Sequence, residues 1–259
     1  MLKLTPNNYY STEANMAYWS ASLVKEFLSC PARAYAEMTG NYERPASEAL
    51  LVGGYVDAHF EGALPEFIAD HPEICKRDGS LKAVYSKADQ MIQRAEADPV
   101  FMDYMEGEKQ RIVTGEIGGL PFKAKYDVYD GRRIVDLKTV KDMQPVYKPG
   151  EGKMTFADAW NWPLQMAIYQ ALEGHRLPCY LAVITKEEPP DIEVIEVPQD
   201  KMDAEMDFLL EKLPYFDAIK QGIVEPDRCE SCAYCRMTKK LNRPRLLDEF
   251  EDFGGIDHE

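Results

Sequence analysis

No stretch of 18 apolar residues occurs in the 259-residue chain, and its first residues lack the basic-then-apolar order of a secretory signal. The first absence excludes a membrane-spanning helix and the second an export leader, so a soluble cytoplasmic protein is expected. Positive charge is also short: 30 Lys and Arg stand against 45 Asp and Glu, for a net charge of −15. That balance excludes a uniformly basic nucleic-acid binder, and any contact with DNA must be local. Cysteine is sparse, six residues in all, yet Cys229, Cys232 and Cys235 crowd together. In a cytosolic chain such crowding favours metal binding over disulfides.

What is present suffices for a large core, with 45% of residues hydrophobic and 29% charged. The most informative stretch is 123–138, Lys-Ala-Lys-Tyr-Asp-Val-Tyr-Asp-Gly-Arg-Arg-Ile-Val-Asp-Leu-Lys. Two alternating runs flank Asp130-Gly131, a dipeptide suited to a two-residue hairpin turn. In that register Tyr129 lies opposite Arg132 and Asp127 opposite Ile134, and Asp127, Ile134, Asp136 and Lys138 share one face. The two acids become diagonal neighbours about 7–8 Å apart, able to lean onto one hard cation. Lys138 is left beside it as a point charge. An exposed hairpin with charged outer residues is the plainer account, but Ile134, Val135 and Leu137 make the second strand apolar. Charges inside such a strand are costly without a compensating cation or partner.

In chain order, residues 1–19 read as an aperiodic arm over the surface. Ser20 or Ser22 caps a helix with Leu23, Val24, Phe27 and Leu28 at helical spacing; Cys30-Pro31 interrupts it and 32–38 resume it. Ser47 opens another helix through His59, with Gly53-Gly54 in its middle, tolerable where a backbone or ligand passes closely. Residues 63–108 read as helices. A strand from Gln110 carries Glu116, which could be an extra metal ligand and is equally an exposed strand residue. Residues 139–153 read as an irregular loop long enough to be functional; its Lys141, Lys148 and Lys153 are either solvated or set against a DNA backbone. Residues 155–172 read as one helix with Trp160, Leu164, Ile168 and Leu172 on a stripe, and Gln165 and Tyr169 on a shared face. Strands at 178–186 and 192–197 and a helix at 198–221 follow. The order implies an α/β fold: a mixed sheet flanked by helices, with N-terminal helical additions. One domain over 1–245 is expected, its core at about 109–221, with 246–259 an acidic, disordered tail.

Cys229-x2-Cys232-x2-Cys235 resembles the run that wraps one iron–sulfur cubane in bacterial ferredoxins, with Cys30 the natural fourth ligand; zinc stays open. Arg236, Lys239 and Lys240 follow in a basic stretch that could grip phosphates or balance the acidic tail.

Asp127 followed by Asp136-Leu137-Lys138 resembles the PD-(D/E)XK nuclease superfamily, with its restriction-endonuclease-like core. Gly-Gly-Tyr-Val-Asp-Ala-His59 resembles the first motif of its RecB-like branch, and Gln165-x3-Tyr169 a further hallmark of the RecB-like and RecE-like branch. The resemblance implies Mg²⁺ or Mn²⁺ held by His59, Asp127, Asp136 and the Leu137 carbonyl, with Lys138, Gln165 and Tyr169 completing the catalytic set. One cysteine before the core and three after it resemble the 4Fe–4S nucleases of AddB-type helicase–nucleases and of CRISPR adaptation, although a longer gap is expected before the last cysteine. The opening Trp-Ser-x-Ser and Cys-Pro-Ala resemble phage-encoded relatives of RecE. That implies 5′-to-3′ digestion of duplex DNA ends in a phage or prophage setting and a RecT-type annealing partner; related exonucleases form ring-like homo-oligomers, but this sequence carries no interface signature that selects one. A single-strand exonuclease and a non-catalytic DNA-binding module are the alternatives.

Overall fold

Ser11, Ser20, Ser47, Asp98 and Thr155 each stand just before a helix, and each side-chain oxygen accepts a backbone N–H of the first turn. Those N–H groups have no partner inside the helix, so such caps fix where it begins. They open α1 (Thr12–Ala17), α2 (Ala21–Ser29), α4 (Glu48–Glu61), α7 (Pro99–Tyr104) and α8 (Phe156–Ala159). The remaining described α-helices are α3 (Pro31–Met38), α5 (Leu64–Asp70), α6 (Ala83–Glu96), α9 (Trp162–Glu173), α10 (Gln199–Lys220) and α11 (Ala233–Met237). The structure, a computed structural model, describes residues 2–45, 47–148, 150 and 152–247. Among them no helix is long and apolar enough to cross a membrane.

The strands β1 (Glu108–Ile117), β2 (Leu120–Tyr129), β3 (Ile134–Val140), β6 (Cys179–Thr185) and β7 (Ile192–Glu196) form one mixed sheet in the order β1-β2-β3-β6-β7. A separate hairpin pairs β4 (Val146–Lys148) with β5 (Gly152–Met154). The pairing of β3 with β6 is parallel and the other pairings are antiparallel. A parallel pair needs a long crossover, which α9 supplies. Alternation along β3 and β6 then divides the apolar side chains between two cores. Ile134, Leu181 and Val183 join Phe27 of α2, Ile168 of α9 and Leu213 of α10 on one face. Val135, Leu137, Ala182 and Ile184 join Val56 of α4, Met91 of α6 and Phe101 of α7 on the other. The outcome is the expected mixed sheet between two helical layers.

The hairpin differs from its two-residue expectation. Tyr129 pairs with Ile134 and Val128 with Val135, so the loop holds 130–133. Asp130 causes this: its Oδ1 accepts N–H bonds from Arg132 (2.8 Å) and Arg133 (2.9 Å), an Asx-type turn wider than the one expected. Beyond Val128 the strands β2 and β3 part. The edge of β2 thus freed is taken at Phe122 by Trp19, whose N–H reaches the Pro121 carbonyl at 2.8 Å. The 1–19 segment is therefore no surface arm: it contains α1 and ends in the buried Trp19. Likewise the 139–153 loop contains the β4–β5 hairpin. The 155–172 helix breaks at Asn161, which adopts φ 52°, and restarts with Pro163 in its first turn. Trp160 is thereby 61% exposed and leaves the apolar stripe.

Gly107 leads into β1 with φ 138°, and a Cβ there would stand 2.5 Å from the Tyr129 carbonyl oxygen. Both the dihedral and the contact exclude a side chain. Gly107→Ala is expected to cost about 2–3 kcal/mol, read as a fall in the urea midpoint; an unshifted midpoint would contradict it.

Candidate functional site

Helix α4 packs across β3 at Gly53, where a Cβ would lie 3.2 Å from Thr139 Oγ1. That accounts for a glycine in mid-helix. Residues four apart share a helix face, so Gly53, Asp57 and Glu61 form a stripe directed at the sheet. Asp57 and Glu61 line a small cavity with Phe60, Met105, Lys109, Gln110, Asp127 and Leu137. Its volume, about 10 Å³, is roughly the room one water molecule occupies.

Asp127 enters where β2 and β3 part. Its Oδ2 accepts the Leu137 N–H at 2.9 Å and its Oδ1 accepts Gln110 Nε2 at 3.3 Å. It does not share a face with Ile134, Asp136 and Lys138 as expected. Tyr126 belongs to one core and Val128 to the other, although strict alternation would put them together. The pattern breaks at Asp127, opposite Gln110, which holds φ 54°. A non-glycine residue in the left-handed region is strained and marks places of functional constraint.

From the opposite face α9 addresses Asp136. Gln165 Nε2 donates to Asp136 Oδ1 at 2.6 Å and to the Tyr169 hydroxyl at 3.0 Å, as their spacing on one helix face implied. Lys138 Nζ pairs with Asp136 Oδ2 and lies 5.7 Å from the Trp162 ring centre. Lys25, on α2, donates from Nζ to Gln165 Oε1 at 2.6 Å.

Electrostatics tie the two faces together. Burial, then the charges of Asp136 and Asp57, push the Asp127 carboxyl well above the usual range. Burial pushes Asp57 up to about 7 against the pull of Lys138 and Lys125, with Asp136 and Glu61 adding to the rise. Burial would lower the Lys138 pKa, but Asp136 and Asp127 raise it overall, so the ammonium stays charged. Lys25 is lowered to about 7 by burial and by Lys138. Closely set carboxyls with raised pKa values are an unbalanced negative site. Gln110 Oε1 adds a buried acceptor with no hydrogen-bond donor. Hard oxygen donors of this kind suit Mg²⁺ or Mn²⁺ by type. Among the described residues only the four cysteines bring three or more His, Cys, Asp or Glu ligand atoms within 4.8 Å of one another, so these carboxyls would have to draw closer around an ion.

Several expected members are elsewhere. His59 Nε2 hydrogen-bonds Glu96 Oε1 on α6 at 2.8 Å, away from the cavity; two residues from Asp57 is about 200° around a helix. Asp57 takes the place expected of His59. Glu116 is exposed and pairs with Pro121 at the far end of the β1–β2 hairpin. That is six residues from Gln110 and about 20 Å along the strand, too far to be a ligand. Lys148 and Lys153 sit on the β4–β5 hairpin, and Lys141 is exposed beside Asp142 at 3.4 Å. Arg236 Nη1 is tied to the Ser231 carbonyl at 2.7 Å, and Lys239 and Lys240 are exposed beyond it. None of these six lines the acid cavity among the described residues. Most of the acidic tail, 248–259, lies outside the described residues.

Asp57, Glu61, Gln110 and Lys25 were missed from sequence. The Gly53–Asp57–Glu61 spacing was the available signal for the first two; a left-handed Gln110 leaves none.

Far along the chain but near in space, Cys30 meets Cys229, Cys232 and Cys235, all four sulfurs lying within 4.8 Å of one another.

No curated protein matches the sequence. The chain is similar to a presumed exonuclease from Eubacterium rectale known from its crystal structure, at 37% identity and a TM-score of 0.94, covering 98% of this chain and 100% of that one. The crystal structure of SSO0001, at 15% identity and a TM-score of 0.31 over 82% of this chain and 93% of that one, is too distant to carry an argument. Residues 20–238 match the model of the PDDEXK-like domain of unknown function (DUF3799), and they take in Asp57, Asp127, Asp136-Leu137-Lys138 and Gln165-x3-Tyr169. The chain belongs to this PDDEXK-like family.

Proposed function

We propose that the protein is a metal-dependent deoxyribonuclease acting as an exonuclease on duplex ends. The observation that carries this reading is the group of carboxyls at the parting of β2 and β3, with a charged lysine two residues beyond Asp136. Asp57, Asp127, Asp136, the Leu137 carbonyl and Gln110 Oε1 would hold Mg²⁺ or Mn²⁺, with Glu61 at the rim. When bound, such an ion lowers the pKa of an attacking water and offsets charge on the phosphate.

The chain's own groups do the rest. Lys138, held protonated by its acidic neighbours, lends positive charge where the scissile phosphate gains negative charge and orients the attacking water. Gln165 fixes Asp136 through Oδ1 and is itself fixed by Lys25, so the carboxylate keeps one orientation. Tyr169 stays neutral, because burial and the charges of Asp136 and Asp127 raise its pKa, and its hydroxyl caps the same network. The Trp162 ring limits where Lys138 can move.

The 5′-to-3′ direction and a RecT-type partner that takes up the product strand follow from the resemblance to RecE-like exonucleases. Similarity to the Eubacterium rectale protein supports the exonuclease reading. Linear duplex DNA labelled at either the 5′ or the 3′ end tests it, digested with Mg²⁺ or with EDTA. Metal-dependent release of the 5′ label as short products is expected. Digestion confined to single strands would move the assignment to the other polarity class, and unchanged DNA lengths in Mg²⁺ would refute catalysis.

A further inference from the structure

We propose that Cys30, Cys229, Cys232 and Cys235 hold a single zinc ion in tetrahedral thiolate coordination, in place of the iron–sulfur cubane that the resemblance implies. This stands apart from the nuclease reading.

The separations carry it. Cys30 and Cys235 sulfurs are 3.5 Å apart, and the Cys229–Cys235 and Cys30–Cys232 pairs are each 3.9 Å apart. A disulfide bond is about 2.05 Å, so none of these pairs is bonded. Four sulfurs about 2.3 Å from one central zinc stand about 3.8 Å from each other in a regular tetrahedron. These three separations match that figure, and no pair among the four exceeds 4.8 Å. A cubane places a separate iron in front of each thiolate, around an inner body of four irons and four sulfides. Its thiolates must therefore stand well beyond single-ion spacing. The space between these four sulfurs takes one ion and not eight atoms.

The surroundings agree. Cys30 and Cys235 are fully buried and pack with Ala32 in a small core of their own. Bonds from the Cys232 N–H to Cys229 Sγ (3.3 Å) and from the Cys235 N–H to Cys232 Sγ (3.4 Å) favour thiolate charge. The Ser231 hydroxyl adds a contact to Cys229 Sγ at 3.5 Å. Around them, the Ala32 N–H donates to the Asp227 carbonyl at 3.0 Å and Tyr42 packs at a tilt against Tyr234, ring centres 5.2 Å apart. The ion would be a clip between the junction of α2 with α3 and the start of α11, closing a loop of about 200 residues. Tetrahedral four-sulfur sites belong to zinc or iron–sulfur chemistry, and the spacing selects the former.

The test is metal content after anaerobic purification, without chelator, from cells supplied with both iron and zinc. One zinc per chain is expected, with iron and acid-labile sulfide below a tenth of an equivalent and no broad visible absorption. Cobalt replacement should give the red-region bands of a tetrahedral thiolate ion. Zinc should persist in Asp136→Ala and be lost in Cys235→Ser. Should Cys235→Ser fail to fold, Cys229→Ser, at the exposed edge, reads the same loss, with a melting temperature lower by several degrees. Four irons with four sulfides, a single iron, or metal-free thiols in the wild-type protein would each overturn the assignment.

Discussion

Lys138→Ala is expected to lower Mg²⁺-dependent digestion of end-labelled DNA at least about a hundredfold, the usual size for removing one group that meets transition-state charge. The ammonium is half-buried against Oδ2 of the buried Asp136 and kept charged by Asp136 and Asp127. A group held so firmly protonated cannot take a proton from water, so its contribution is electrostatic. Removal also leaves Asp136 as a buried charge without its cation, which costs about 3–5 kcal/mol when a buried pair is broken from one side. Lost activity could then be mistaken for lost fold. The double replacement Asp136→Asn/Lys138→Met, which also removes a proposed ligand, reports on the fold, since an uncharged pair of similar size avoids the unpaired charge. Its melting temperature should recover most of the fall seen in Lys138→Ala, while digestion stays at least about a hundredfold down. Digestion at the wild-type rate by either variant would remove Lys138 from the mechanism.

The parts of the site that could be read from sequence are those fixed by local spacing. Asp136-Leu137-Lys138 lies on one strand, and Gln165 and Tyr169 lie one helical turn apart. Gln165 Nε2 does join Asp136 to the Tyr169 hydroxyl. The register of β2 on β3 was misjudged because Asp130 spends its carboxylate on the N–H groups of Arg132 and Arg133, which the Asp-Gly signal does not distinguish from a tighter turn. That shift is by two positions in the pairing sum, so side-chain parity survives it. The displacement of Asp127 into the sheet gap has another origin. It comes with the reversal of alternation between Tyr126 and Val128 and with the left-handed Gln110, a tertiary feature with no residue-type signature. On α4 the family motif drew attention to His59, while helical geometry alone would have grouped Gly53, Asp57 and Glu61. Pro163 and Asn161 likewise divided a stripe whose periodicity looked continuous through Trp160.

Asp57 offers the sharpest contrast with its neighbour. Asp57→Asn is expected to reduce digestion at least about a hundredfold, whereas His59→Ala, which loses a partly exposed contact to Glu96, should change it less than about threefold. A pH signature in the metal-free protein accompanies the first substitution. The folded-state pKa of Asp57 is about 7, against an ordinary value of 3.8. Between those values the native state holds more protons than the unfolded state, so stability must fall as pH rises. The contribution is fully present below about pH 4 and gone above about pH 7. Asp127, raised in the same direction by burial and by the same neighbours, adds to the fall. In EDTA the wild-type melting temperature should therefore drop by several degrees toward pH 8, after allowance for a His59→Ala reference. Mg²⁺ or Mn²⁺ at pH 8 should restore it, because a ligand bound only by the native state stabilises that state. Asn at position 57 carries no charge to repel Asp136 and Glu61. Asp57→Asn in EDTA should then be more stable than wild type at pH 8 and gain little from added cation. A site that gives up native stability to keep carboxylates close behaves in this way, with the cation supplying the compensation. Equal melting temperatures for wild type and Asp57→Asn in EDTA at pH 8, with equal gains from Mn²⁺, would place Asp57 outside the site and return the search for a helix-borne ligand to α4.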